Sequence, residues 1–332
     1  MKKIIAIVLA LVLSLCTLAM GEGFKAGMVT DVGGVNDQGF NQSSWEGLQK
    51  CEAEGWASVK YIESKQESDY ATNLDILYED DNDLIWGIGY LMADALLTAA
   101  TINDDCLYAI IDNNYGDATP ANMINVTFKS QDAAFLVGYI AGKTTQTNNV
   151  GIVGGISGAI LDAFEYGYRA GVEYAAQEKG VEITVQIQYA DSFSDSAKAK
   201  AIATGMYTNG ADVVFQAAGG AGLGVIEAAK ELNKWVIGAD TDQSYLAPEN
   251  MITSCMKGCA AAVYDICKQV SEGALLGGTS YVGDLSSGAV GFTVSDLIDA
   301  SIYADADAVA AKLVSGEVVA PFDAASFEGW NK

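Results

Sequence analysis

Short β-branched or apolar runs alternate with helix-length stretches, and the alternation runs through once and then starts again. "KAGMVT", "SVKYIE", "DLIWGIG" and "LYAIID" are separated by segments such as "SSWEGLQKCEAEG" and "YLMADALLTAATI". Strands spaced by helices must pair in parallel, because each connection crosses back over the sheet. The pattern restarts near "NVTFKSQD", where an extended segment carries the chain across. Beyond it, "NVGIVGG", "VEITVQIQYA", "ADVVFQAAGG" and "KWVIGAD" read as strands. The helix "AFEYGYRAGVEYAAQEKG" among them ends at a glycine. "MITSCMKG" reads as a return crossing, since the helix "CAAAVYDICKQVSEG" after it has no unpaired strand nearby. The predicted fold class is α/β: two doubly wound parallel-sheet lobes joined by hinge crossovers. Such a clamshell binds ligands by hinge closure. The expected lobes are residues 22–127 plus 257–284 and residues 128–256 plus 285–332.

Composition narrows the function. The chain has 332 residues, half of them hydrophobic, which is enough for two buried cores. Three prolines and no Ser, Gln or Pro tract leave no sign of a disordered arm or a flexible linker. The net charge is −25 with no basic patch, so nucleic-acid binding is not expected. Histidine is absent, which excludes triad hydrolysis and His-based metal chemistry. The start, "MKKIIAIVLALVLSLCTLAMGEGF", has the layout of a secretory signal over residues 1–21. Export follows, to a periplasm or the outer face of the cytoplasmic membrane. Two endings remain open: a lipid anchor on Cys16, or cleavage after Ala19 or Gly21. Past the signal, five cysteines without a CxxC pair read as buried small hydrophobes. The clusters "EDDND" and "ADADA" lack calcium-loop spacing and read as solvated turns.

Ligands of open α/β sheets sit beyond the carboxyl ends of strands. The residues there are Asp31 to Asn41, Gly87 to Tyr90, Asp112 to Tyr115, Gly154 to Ser157, Asp191 to Phe193, Ala217 to Gly224, Asp240 to Gln243 and Met256 to Lys257. Phe40 follows a candidate N-cap at Asn36 or Asp37, so its ring either faces the cleft, where it could stack on a flat ligand, or staples against Trp45 or Leu48. Phe193 repeats the situation in the second lobe, and two such rings would sandwich a planar base. Asn41 or Asp112 could bond its edge. Asp240 could accept two ribose hydroxyls, with Lys257 donating to the same sugar. The glycines of "AAGGAG" and "GIVGGISG" lack a basic partner and the dinucleotide spacing, so they read as close backbone approach to a neutral ligand or as tight turns.

"DVGGVNDQGFNQSSWEGL", "NVTFKSQDAAFLVGYIAG", "GADVVFQAAGGAGLGVIEAAKE" and "IGADTDQ" resemble the signature stretches of the basic membrane protein family, the substrate-binding lipoproteins of ABC importers, and in particular its purine nucleoside receptors. The resemblance implies a type I periplasmic-binding fold that hands nucleosides, purines favoured, to a membrane permease. It implies a base between Phe40 and Phe193, base-edge partners at Asn41 and Asp112, ribose partners at Asp240 and Lys257, and a nearby loop glycine, taken as Gly220. Asp31 completes the expected ligand set. No catalysis, cofactor or metal is implied, and a monomer is expected. The sequence departs from the family at the lipobox, where Leu15 precedes Cys16. A sensory nucleoside-binding protein and a nucleoside hydrolase are the alternatives, the second disfavoured by the missing aspartate pair and missing histidine.

Overall fold

The computed structural model describes residues 23–330, so the expected signal, with Cys16, Ala19 and Gly21, lies outside the described residues. Two six-stranded sheets form the frame. The first contains β1 (Phe24–Thr30), β2 (Ala57–Ile62), β3 (Leu84–Ile88), β4 (Leu107–Ile111), β5 (Met123–Phe128) and a late strand, β11 (Thr279–Gly283). Their order is β11-β5-β4-β3-β1-β2, and every pairing is parallel. The second contains β6 (Asn149–Gly154), β7 (Thr184–Tyr189), β8 (Val213–Ala217), β9 (Trp235–Asp240), β10 (Met251–Lys257) and β12 (Val290–Phe292). Its order is β12-β10-β9-β8-β6-β7, with β12 antiparallel to β10. With the two late strands set aside, both sheets share one doubly wound order, so β4 and β9 hold equivalent places.

Burial explains the strands. β3 and β8 are buried at every position, the mark of parallel strands covered on both faces. On one face of the first sheet, Met28, Trp86 and Ile111 meet Leu48 of α1 (Phe40–Ala53) and Val263 and Ile266 of α8 (Cys259–Ser271). On the other, Val29, Ile85 and Ile110 meet Leu74 and Leu77 of α2 (Tyr70–Glu79) and Leu96 of α3 (Ala93–Ile102). The second sheet is covered in the same way. α4 (Ser130–Thr144), α5 (Ala159–Lys179) and α9 (Ala300–Ser315) lie on one side, and α6 (Ser196–Thr208) and α7 (Gly222–Leu232) on the other. A short α10 (Ala324–Gly329) packs on α5. The long helix α5 stops at Gly180, whose left-handed φ of 65° closes its last turn.

The chain passes between the sheets three times, after β5, after β10 at Gly258, and between β11 and β12. "MITSCMKG" is itself a strand of the second sheet, and the return follows it directly. One expectation is corrected. "ADADA" is no turn: it lies inside α9, where Tyr303, Ala306 and Val309 are buried and the alanines favour helix over the turn preference of Asp305 and Asp307.

Candidate functional site

Strand ends from both sheets converge on one cavity. Its first-lobe wall is Asp31, Gly33, Asp37, Phe40, Asn41, Gly89, Tyr90 and Asp112; its second-lobe wall includes Ile160, Leu161, Phe164, Phe193, Gly219, Asp240 and Lys257. The site and its solvent-open mouth together leave about 530 Å³ free of atoms. The lobes are drawn in closely over the site.

Asp37 sets the geometry of α1. Its carboxylate accepts from the backbone N–H groups of Gly39 at 3.0 Å, Asn41 at 2.8 Å and Gln42 at 3.1 Å. The N-cap residue is Gly39, neither Asn36 nor Asp37, but Asp37 supplies the capping carboxylate from two residues further back. Phe40 becomes the first helical residue with its ring on the cavity wall, while Trp45 packs edge-on against Tyr61. Asn41 donates both amide hydrogens, to Asp31 Oδ1 at 2.9 Å and Asp37 Oδ2 at 3.0 Å. Its own Oδ1 is buried without a partner. Asn41 thus offers the cavity an acceptor and no donor.

Lys257 ends β10 and crosses to the other lobe, where its ammonium pairs with Asp112. The same Nζ stands 4.5 Å from the centre of the Phe40 ring and 5.8 Å from that of Phe164. Burial pulls the Lys257 pKa down, but the charge of Asp112, helped by Cys259 and Asp240, outweighs it and holds the ammonium protonated. Asp112 directly follows β4 and Asp240 ends the equivalent β9, and both have a left-handed backbone, with φ of 68° and 67°. Burial lifts Asp240 to about 7, with Lys257 opposing the shift. Burial likewise lifts Asp31 to about 6 against its bonds from Asn41 and Gly33.

Phe193 reaches the cavity because Gly155 leaves room for its ring, while Gly219 packs against it at ordinary contact distance. A Cβ on Gly155, just past β6, would stand 2.2 Å from the Phe193 ring, and one on Gly219 would stand 3.6 Å from it. Both glycine stretches were expected to approach a ligand or form tight turns; here they seat the ring. Gly220 differs from expectation. It is not among the lining residues, because it lies behind Phe193, with its Cβ position 3.2 Å from the Phe193 carbonyl and 3.5 Å from Asp37 Cβ. Asp31, Phe40, Asn41, Asp112, Phe193, Asp240 and Lys257 all line the cavity.

Sequence reasoning missed Tyr90 and Asp37 as wall residues, although both fall in strand-end stretches. It also missed Ile160, Leu161 and Phe164, whose helical spacing on α5 reads as ordinary core. Tyr90 ties the lobes together: its hydroxyl donates to the Ile156 carbonyl at 3.1 Å, and its ring stands edge-on to Phe193 at 6.3 Å. A second tie lies at Gln38, a left-handed residue with φ 56°. Its carbonyl accepts from Gln243 Nε2 at 2.9 Å and Thr241 Oγ1 at 3.3 Å, and its side chain accepts from the Tyr245 hydroxyl at 2.7 Å.

A family model described as "ABC transporter substrate-binding protein PnrA-like", the Bmp family, matches residues 24–323. The chain belongs to this family. Among known proteins, the chain is similar to the "CD4+ T-cell-stimulating antigen" of Listeria innocua, 38% identical over 322 residues that cover 90% of this chain and 88% of that one. It is equally similar to "Basic membrane protein A" of Borreliella burgdorferi, 38% identical over 313 residues, with 93% and 91% covered. In three dimensions it resembles an ABC transporter solute-binding protein from Aeropyrum pernix K1, with a TM-score of 0.84 and 24% identity over 92% of this chain and 96% of that one. That likeness shows the fold. The family resemblance and the two-lobed α/β architecture expected from the sequence are both borne out. Bmp proteins are substrate-binding proteins that work outside the cytoplasm. Among the described residues, no helix is long and apolar enough to cross a membrane.

Proposed function

We propose that this Bmp protein is the extracytoplasmic receptor of an ABC importer and captures a nucleoside, a purine nucleoside by preference, in the cleft between its lobes. The observation that carries the reading is the meeting of Phe40 from one lobe and Phe193 from the other on a single cavity rimmed with carboxylates. Two rings from opposed walls suit a flat aromatic base. Asn41 and Asp31 supply acceptors to its edge, and Asp240 with Lys257 serves the ribose hydroxyls. Four aspartates against one lysine disfavour a phosphorylated ligand.

The mechanism has no chemical step. A nucleoside enters the open cleft and displaces the Lys257 ammonium from the face of Phe40. It then favours closure by touching both lobes at once. The closed monomer presents its ligand to a permease, and no cofactor takes part.

The test is calorimetric titration of the protein, unfolded and refolded to strip carried-over ligand, with guanosine, inosine, adenosine, cytidine, uridine, ribose and guanosine monophosphate. Tight one-to-one binding of purine nucleosides is expected, with ribose and the monophosphate inert and no free base appearing afterwards. Silence from every nucleoside would overturn the reading, and released base would replace it with hydrolysis.

A further inference from the structure

Cys51 on α1 and Cys267 on α8 lie outside the cavity, yet they stand together in the first lobe. Both are free and fully buried thiols, and they face each other across the helix interface closely enough to perturb one another's titration. The two helices approach very closely here. A Cβ on Gly47, one turn before Cys51, would stand 3.0 Å from Cβ of Val263, one turn before Cys267. The register therefore continues from 47 opposite 263 to 51 opposite 267. That brings the two Cβ atoms towards the separation of about 3.5–4.5 Å that a disulfide needs. Both sulfurs are also held in place: the Trp86 indole N–H donates to Cys267 Sγ at 3.3 Å, and Cys51 Sγ donates to the Gly47 carbonyl at 3.3 Å. In the folded lobe the neighbouring Cys267 thiol holds the Cys51 pKa below its ordinary value. Burial raises the other four thiols, Cys106 to about 12 and Cys255, Cys259 and Cys267 likewise upward.

We propose that Cys51 and Cys267 form a disulfide that staples α1 to α8 when the chain folds outside the cytoplasm. The oxidant is a disulfide of the thiol-exchange class, either a small molecule or an oxidoreductase. The Cys51 thiolate attacks one of its sulfurs and expels the first thiol. Cys267, losing its proton, then attacks the mixed disulfide at Cys51 and expels the second. Two protons and two electrons leave the protein, and the oxidant is reduced to two thiols. Because both sulfurs are fully buried in the folded lobe, exchange precedes closure of the helix interface. The folding chain is the substrate, and the family's extracytoplasmic setting supplies a compartment where such bonds persist. The staple would tie the helix that begins with Phe40 to the helix that begins two residues after Lys257. The proposal is independent of the ligand.

The protein is refolded from denaturant in mixed reduced and oxidised glutathione, its remaining thiols are alkylated, and peptides are mapped by mass without reduction. The expected result is one peptide pair linked through Cys51 and Cys267, lost on reduction, with Cys106, Cys255 and Cys259 alkylated. The thermal midpoint of this form falls when reductant is added, and that of Cys267→Ala, refolded identically, does not respond. Alkylation of both Cys51 and Cys267 in the wild-type map, or linkage of either to another cysteine, would overturn the proposal. The wild-type map decides alone should Cys267→Ala fail to fold.

Discussion

Lys257 is the single cation among residues that line a cavity with four aspartates, Asp31, Asp37, Asp112 and Asp240. An ammonium only 4% exposed is tolerable because Asp112 pairs with it and Asp240 adds to the field. Removing one partner of a buried pair costs about 3–5 kcal/mol, because the other charge is left uncompensated. Lys257→Met should therefore lower the thermal midpoint, and adding Asp112→Asn should recover much of the loss; calorimetric melts of both variants check this. The raised carboxyls set the pH response. Unfolded, Asp31 and Asp240 return to the ordinary aspartate value of 3.8, whereas folded they hold their protons up to about 6 and about 7. The folded state thus binds more protons across that window, and stability of the ligand-free protein rises as pH falls from about 8 to about 5. Nucleoside affinity should move the opposite way, since hydroxyls donating to Asp240 compete with its proton. Titrations in buffers of different ionisation enthalpy should register proton release on binding. Phe40, Asp112 and Asp240 were legible because the strand-end rule points to them. Phe164 was not, because an apolar residue on a helical stripe looks the same whether it faces a core or a cavity.

At the scale of elements, glycine decides where α1, β6 and the loop after β8 can meet. Gly155 has no tolerance for a side chain, with the Phe193 ring 2.2 Å from its Cβ position. Overpacking of this kind costs about 1–3 kcal/mol. Gly155→Ala should displace the ring and weaken nucleoside binding about tenfold or more. Gly205→Ala, in α6 with nothing within 4 Å of its Cβ position, should instead stabilise by about 0.5–1 kcal/mol. Melting curves and titrations of the two variants separate these outcomes. Most strands and helices were readable because parallel strands are near-continuous apolar runs and their helices carry one apolar stripe. β11 and β12 were not: one is exposed along most of its length and the other has three residues, so neither shows a pattern. α9 was hidden by its aspartates, which suggested a turn.

Across the whole molecule, closure rests on a few contacts that bridge the lobes at Lys257, Tyr90 and Gln38. The Tyr245 hydroxyl bonds Gln38 outside the cavity wall. A hydrogen bond of this sort contributes about 0.5–1.5 kcal/mol, so Tyr245→Phe should speed nucleoside release about two- to tenfold with little change in the association rate. Stopped-flow displacement measures it. The clamshell was legible because the strand–helix pattern restarts half-way. The closed packing of the lobes was not, since cross-lobe bonds such as Gln38 to Gln243 join residues two hundred positions apart with no local signature. The central claim is that one ring from each lobe grips the base. Its most direct test is the dissociation constant of the preferred nucleoside for wild type, Phe40→Ala and Phe193→Ala, each verified as folded. Loss of about 1–3 kcal/mol of binding in each variant is the predicted result, and unchanged affinity in both would contradict it.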